Sequence, residues 1–361
     1  MKGIYDDKNY VIIWENAMSF TMTKKLPTPQ EIKEMYPISQ KALECKEKND
    51  AELQRIIRGE SDKFIAIIGP CSADNEAAVC DYIGRLAKVQ EEIKDKVLLV
   101  ARVYTNKPRT TGEGYKGMAH QPDPESDPNL LEGLIAIRHL HMRVLEEFGL
   151  PIADEMLYPE NYRYLSDILS YVAVGARSVE DQHHRMVASG IEALVGMKNP
   201  TSGDLSVMLN SVSAAQHSHN FLYRGWDATT SGNPYAHTIL RGAVNQYGKA
   251  IPNYHYEDLL RLLDMYNSRN LQYPACIVDA NHSNSDKKFK EQIRIVKEVL
   301  NSRKHSDDIN AFVKGVMIES YIEEGNQKIG CENHVYGKSI TDPCLGWEDS
   351  EALLRYIAEN C

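Results

Sequence analysis

Eight polar side chains stand at the ends of eight short apolar runs: Cys71, Arg102, Glu155, Arg177, Lys198, Arg241, His282 and Glu319. They sort into two chemical sets. Cys71, His282 and Glu319 are of the types that ligate a divalent transition metal, and Asp342 in "SITDPCLGW" can supply a fourth ligand. A thiolate, an imidazole and carboxylates together suit Zn, Fe(II), Mn or Co rather than Mg or Ca. The separations are long, and no local motif such as CxxC is present. Taken singly, each residue also has an ordinary alternative. A buried free Cys is commonly a small hydrophobe, and a loop His a satisfied polar group. The second set is cationic: Arg102, Lys107, Arg109, Arg177, Lys198 and Arg241. Guanidinium forks match the paired oxygens of carboxylate and phosphate, and an ammonium adds a point charge. Gathered together, these groups would repel one another unless anions sat among them. In a chain of net charge −10, they imply one or two small phosphorylated substrates. The alternative for each cation is a structural ion pair. The stretch "NKPRTTGEGYKG" (106–117) adds hydroxyls and glycines, whose backbone N–H groups can approach an anion closely. It matches neither a Walker A loop nor a GxGxxG fingerprint.

Short parallel strands are expected to position these groups. From Phe64 onward, apolar runs alternate with helical patterns: "FIAIIG", "VLLVARVY", "LPIADEM", "YVAVGAR", "ALVGMK", "HTILRG", "ACIVDANH" and "GVMIES". The runs are nearly continuous rather than alternating, as for parallel strands buried on both faces. Between them lie helix candidates such as "LLEGLIAIRHLHMRVLEEF", "PENYRYLSDILS" and "HYEDLLRLLDMYNS". Repeated βα units give a parallel sheet, open or closed. Only a closed (β/α)8 TIM barrel gathers eight strand ends around one centre, on the face where such barrels build active sites. A ninth run, "NFLYRG", is separated from "HTILRG" by "WDATTSGNPYA", too short for a crossover helix. It predicts an inserted β-hairpin. Residues 1–60 read as an N-terminal extension, with an amphipathic helix ending near Gly59, and residues 61–361 as the catalytic barrel.

The composition fits a soluble globular protein, 42% apolar and 25% charged. The negative balance argues against general nucleic-acid binding, which rests on Lys and Arg neutralising phosphates. No apolar run approaches the ~20 residues of a membrane span. Seven scattered cysteines and a start without a signal-peptide pattern give a reduced, cytoplasmic protein as the expectation.

At this point the chain resembles the type I 3-deoxy-D-arabino-heptulosonate 7-phosphate (DAHP) synthases. The resemblance rests on "IGPCS", "RVYTNKPRTT", "GARSVEDQHHRMVASG", "VGMKNPTSGD", "ILRG" with "PNY", "DANHSNSDKKFKEQ", "GVMIESYIEEGNQ" and "YGKSITDPCLGWED", in order from about residue 64 to 350. It implies a (β/α)8 barrel that condenses phosphoenolpyruvate with erythrose 4-phosphate and water, releasing phosphate, in the first step of the shikimate pathway. By motif, Cys71, His282, Glu319 and Asp342 would hold one divalent metal, Mn, Fe, Co or Zn. Arg102, Lys107, Glu155, Gly175, Ala176, Arg177, Lys198 and Arg241 would form the phosphoenolpyruvate site. Lys107, Pro108, Arg109 and Thr110 would contact erythrose 4-phosphate. Lys107, Lys198 and Glu155 are the expected catalytic residues, with Glu155 and Lys198 both candidates to activate water. The metal is expected to polarise the sugar aldehyde. The resemblance also implies a homo-oligomer, dimer or tetramer, and an aromatic amino acid effector.

Several positions depart from better-known members. "GYKG" replaces the usual "GWKG", one residue is added before it, "YRGWDATT" lacks a common Lys, and "AVNQYGKAI" lengthens a link. Glu192 stands where an effector-contacting Ser is common. Control by Phe, Tyr or Trp therefore stays open. Of the rivals, 3-deoxyoctulosonate 8-phosphate synthases tend to carry an Asn-containing variant where this chain has "KPRT". A non-catalytic barrel would have no need of all four candidate ligands. A cysteine hydrolase would need an oxyanion or triad signature near Cys71, which is not seen.

Overall fold

The computed structural model describes residues 21–109 and 112–361. Two helices lead in, α1 (Pro29–Met35) and α2 (Gln40–Arg58). A capping box at Thr28 and Glu31 starts α1. Gly59, at φ 76°, ends α2.

The chain then lays down β1 (Phe64–Gly69), α3 (Glu76–Ile93), β2 (Val97–Arg102), α4 (Leu130–Arg143), β3 (Ile152–Glu155), α5 (Pro159–Tyr162), β4 (Tyr171–Val174), α6 (Gln182–Ala188), β5 (Leu194–Lys198) and α7 (Leu205–Gln216). A hairpin follows, β6 (Asn220–Tyr223) and β7 (Trp226–Thr229). Next come β8 (Ala236–Leu240), the small pair β9 (Ala243–Val244) and β10 (Ala250–Ile251), α8 (Tyr256–Asn267) and β11 (Cys276–Asp279). The chain finishes with α9 (Glu291–His305), α10 (Asp307–Phe312), β12 (Val313–Glu319), β13 (Glu323–Asn326), β14 (Lys338–Ser339) and α11 (Trp347–Asn360).

Eight strands close a parallel barrel in the order β1-β12-β11-β8-β5-β4-β3-β2. These are the eight apolar runs of the sequence, and the architecture is the expected (β/α)8 barrel. The ninth run is β6, which pairs only with β7. Arg224 (φ 56°) and Gly225 (φ 80°) turn that hairpin with the two positive φ values its twist requires.

Alternation divides each strand between two cores. Ile65 and Ile67 of β1 face inward with Val100, Tyr171, Ile277 and Met317. Phe64, Ala66 and Ile68 pack outward against the helices. Leu53, Ile56 and Ile57 of α2 join the inner cluster, so α2 plugs the N-terminal end of the barrel. One helix expectation fails. "PENYRYLSDILS" is helical only over Pro159–Tyr162 and continues as turns, although Leu165, Ile168 and Leu169 are buried at the i, i+3, i+4 spacing that suggested a helix. All seven cysteines are free. Among the described residues no helix is long and apolar enough to cross a membrane.

Candidate active site

Strand endings place the polar groups. β1 stops at Gly69, paired with Glu319 at the end of β12, and Pro70 hands the chain to Cys71. Arg102, the last residue of β2, is 2% exposed. Its Nη2 donates to Glu319 Oε1 at 2.9 Å, its Nη1 donates to the Pro70 carbonyl, and its Cζ lies 3.7 Å from the Tyr104 ring centroid. Asn281 Nδ2 donates to Glu319 Oε2 at 2.6 Å. At the end of β11, Asp279 accepts from Lys198 Nζ at 3.0 Å and faces His282 Nδ1 at 2.9 Å. His282 Nε2 lies 3.8 Å from Glu319 Oε1.

Lys107 reaches across the mouth. Its Nζ is 2.9 Å from Cys71 Sγ and 3.0 Å from Asp342 Oδ2. Lys287 Nζ takes the other oxygen, Asp342 Oδ1, at 3.0 Å. The loop bearing His282 and Lys287 is unusual: His282, Asp286 and Lys287 all have positive φ, 49°, 53° and 57°. Non-glycine residues held there carry strain, and such strain gathers at functional sites.

These groups line a cavity of about 280 Å³ at the C-terminal ends of the strands. Cys71, His282 and Asp342 face it, as do Arg102, Lys107, Pro108, Arg109, Glu155, Gly175, Ala176, Arg177, Lys198 and Arg241. Glu319, 1% exposed, sits immediately behind, bonded to Arg102. Every predicted site residue that is described is thus gathered here; Thr110 lies outside the described residues. Gly175 leaves room for the Glu155 carboxylate: a Cβ there would stand 2.2 Å from Glu155 Oε1 and displace it. Arg241 holds its backbone N–H to Asn199 Oδ1 at 2.9 Å, while its buried Nη1 has no hydrogen-bond partner among the described residues.

Sequence reasoning missed Asp279 and Lys287. Both lie in "DANHSNSDKKFKEQ", and three-residue spacing to His282 was the available signal for Asp279. It also missed Asp154, 3% exposed, which accepts from Thr105 N (3.0 Å), Thr105 Oγ1 (2.5 Å) and Glu155 N (2.7 Å) and so fixes the loop entering Lys107.

Local charge sets the protonation. Burial raises the Asp279 carboxyl, but His282 and Lys198 outweigh it and hold the group well below the usual range. Burial likewise opposes ionisation of Asp342, yet Lys107 and Lys287 keep it strongly acidic. Burial lowers Lys107, and Cys71 and Asp342 more than compensate, so its ammonium is held charged. Burial, then Glu319, pushes the Cys71 thiol up. Burial depresses Arg241 and His282.

The donor set fits a divalent cation. Donor atoms of Cys71, Glu319 and Asp342 lie within 4.8 Å of one another. The Lys107 ammonium already touches two of them, so the spot attracts positive charge. His282 stands beside this trio, with its Nδ1 turned to Asp279.

Comparison with known proteins agrees with this geometry. The DAHP synthetase I family model matches residues 35–355. The chain is 37% identical over 342 residues to the Phe-sensitive phospho-2-dehydro-3-deoxyheptonate aldolase of Escherichia coli K12, covering 93% of this chain and 94% of that one. The phospho-2-dehydro-3-deoxyheptonate aldolase of Haemophilus influenzae is 37% identical over 360 residues, covering 98% of this chain and 96% of its own length. A Trp-sensitive relative from Escherichia coli K12 is 34% identical over 341 residues, covering 93% and 94%. The solved structure of phospho-2-dehydro-3-deoxyheptonate aldolase from Francisella tularensis SCHU S4 superposes with a TM-score of 0.87 at 32% identity, covering 94% of this chain and 98% of that one.

Proposed function

Since the chain belongs to the DAHP synthetase I family, we propose that its barrel mouth condenses phosphoenolpyruvate with D-erythrose 4-phosphate. As a DAHP synthase it is a transferase of the shikimate pathway and aromatic amino acid biosynthesis. One observation carries the substrate assignment. A single 280 Å³ cavity joins a ring of cations to a cluster of metal-type donors. The ring suits two phosphates and a carboxylate.

Each group then has a role. Arg177, Lys198 and Arg241 hold the phosphate and carboxylate of phosphoenolpyruvate, with Arg102 and the Gly175–Ala176 backbone closing that side. Lys107, Pro108, Arg109 and Thr110 receive the sugar phosphate. This positioning brings the enol carbon against the aldehyde carbon, which supplies several kcal/mol of the barrier reduction. The carbon–carbon bond forms and the aldehyde oxygen becomes an alkoxide, positive charge develops at the carbon bearing phosphate, water adds there, and the new hydroxyl closes to a ketone as the carbon–oxygen bond to phosphate breaks, its proton going to the alkoxide. Glu155 takes the proton of the water, and Lys198, anchored on Asp279, delivers one to the departing phosphate. Cys71, His282, Glu319 and Asp342 would hold a divalent metal, Mn, Fe, Co or Zn, which when bound supplies Lewis-acid polarisation of the aldehyde.

We further read residues 1–60 as an extension that serves a cytoplasmic dimer or tetramer, and an aromatic amino acid as effector. Phe- and Trp-sensitive relatives support the effector.

The test is turnover. Metal-loaded enzyme with phosphoenolpyruvate is given erythrose 4-phosphate or arabinose 5-phosphate, and loss of enol absorbance is followed. Turnover with the four-carbon sugar is expected; turnover with the pentose alone would overturn the substrate assignment. Cys71→Ser is expected to lose metal and activity together, and retention of both would remove Cys71 from the ligand set.

A further inference from the structure

The barrel end opposite the mouth encloses a second and larger cavity, about 670 Å³. One side of it is basic. Lys63 precedes β1, Lys96 precedes β2 and Lys314 is the second residue of β12. These three strands are neighbours in the barrel. Arg303, in the last turn of α9, lies across Phe64, the first residue of β1, with its Cζ 4.4 Å from the ring centroid. That contact covers one face of the guanidinium and leaves its edge to find partners. Its Nε and Nη1 are buried and have no hydrogen-bond partner among the described residues. Among those residues, Arg303, Lys314 and Lys96 also have no carboxylate within ion-pair distance. Buried, unpaired donors cost stability unless something else satisfies them.

Four acids share the cavity, Glu60, Asp62, Asp95 and Asp307, and none lies within ion-pair distance of Arg303 or Lys314. Glu60 is held by Arg58 at 2.8 Å. Asp62 acts on Lys314 only through space, more weakly than burial and the neighbouring Arg303, which together depress that ammonium. Burial also depresses Arg303, against a smaller opposing pull from Cys361.

A smaller hollow of about 370 Å³ adjoins the first, sharing Gly59, Ala311 and Lys314 as a wall. Ile57, Leu263, Pro274, Phe312 and Tyr273 give it a largely apolar and aromatic wall, with Arg58, Asn267 and Asp308 also lining it. Tyr273 is held at φ 43°, a costly conformation for a bulky residue, and its ring stacks on Tyr235. Lys314 therefore stands between a cationic chamber and an aromatic one.

We propose that this end of the barrel binds a small anion with an apolar body: Arg303 and Lys314 take a carboxylate or phosphate head, and the Tyr273 hollow takes an aromatic or aliphatic group. The site lies at the face opposite the proposed substrates and uses none of their residues.

Calorimetric titration of the full-length enzyme with phenyl phosphate, phenylacetate and inorganic phosphate tests this. At least one aromatic anion is expected to bind, more tightly than inorganic phosphate. The two aromatic probes tell which head is preferred. Arg303→Met with Lys314→Met should weaken that binding at least about tenfold, the scale of one hydrogen bond to a charged group. Arg241→Met, at the mouth, should leave it within about twofold. Should the double variant not fold, Lys314→Met alone carries the comparison, since its half-exposed side chain makes no hydrogen bond or ion pair to lose. Removing these cations is also expected to leave the ligand-free Tm equal or higher. Three results would each overturn the proposal: no binding of either aromatic probe, inorganic phosphate binding as tightly as phenyl phosphate in Arg241→Met, where the mouth is weakened, or binding lost in Arg241→Met but retained without Arg303 and Lys314.

Discussion

Asp279→Asn removes one charge from the buried centre of the site and keeps the shape. Asp279 is fully buried and Lys198 is 3% exposed, with 3.0 Å between them. The amide keeps an oxygen for Asn281 N, which now donates to Asp279 Oδ1 at 3.0 Å. It cannot neutralise Lys198, and it can present an N–H to the ammonium. Breaking a buried pair by removing one partner costs about 3–5 kcal/mol. A chain of 361 residues unfolds with an entropy near 0.7 kcal/mol/K, so Tm should fall by about 4–7 °C. The measurement is differential scanning fluorimetry on chelator-treated protein, so that any metal bound at the mouth does not enter. The double variant Lys198→Met with Asp279→Leu should recover most of the loss, because a well-packed apolar pair replaces a buried ion pair at little cost. A Tm within about 1 °C of the parent for Asp279→Asn, or no recovery in the double variant, would refute the reasoning.

Three further outcomes are expected. Gly175→Ala drives a Cβ to 2.2 Å from Glu155 Oε1, so the carboxylate must move; kcat/KM should drop by about a hundredfold in steady-state assays, as when a catalytic group is displaced by an ångström. His237 is fully buried, with burial lowering its pKa from 6.5 to about 4. Its neutral form stabilises the fold above pH 6.5, and that contribution is lost as pH falls toward 4. The stability difference between parent and His237→Gln should therefore shrink by about 3 kcal/mol over that window, read from urea titrations. Chelator treatment should abolish turnover, and added Mn²⁺ should restore it; full activity in metal-free protein confirmed by elemental analysis would contradict the donor assignment.

The barrel was legible because strands covered on both faces must read as unbroken apolar runs, as "FIAIIG" does. The hairpin was legible through geometry: eleven residues between "NFLYRG" and "HTILRG" leave no room for a crossover helix. The mouth followed from strand endings. Side chains that act through others were harder to see. Asp279 ends a strand one turn before the more conspicuous His282, and Asp154 is overshadowed by Glu155. Lys287 reaches Asp342 only because the loop adopts three positive φ values at non-glycine residues, which no local pattern signals. Lys63, Lys96 and Lys314 look like ordinary surface lysines until the barrel sets their strands side by side.

Closure of the barrel has a consequence for how the enzyme is made. β1 pairs with β12, joining Ile65 to Gly315, so the ring cannot shut until most of the chain has left the ribosome. The reactive cluster straddles that seam. Arg102 bonds Glu319 across 217 residues, and Cys71 meets Asp342 across 271. A nascent chain holding the first seven barrel strands has Arg102, Arg177 and Arg241 of the mouth but neither Glu319 nor Asp342, the carboxylates beside Cys71. Competence for chemistry therefore arrives in one late step, and the contacts that create it are the same ones that lock the ring.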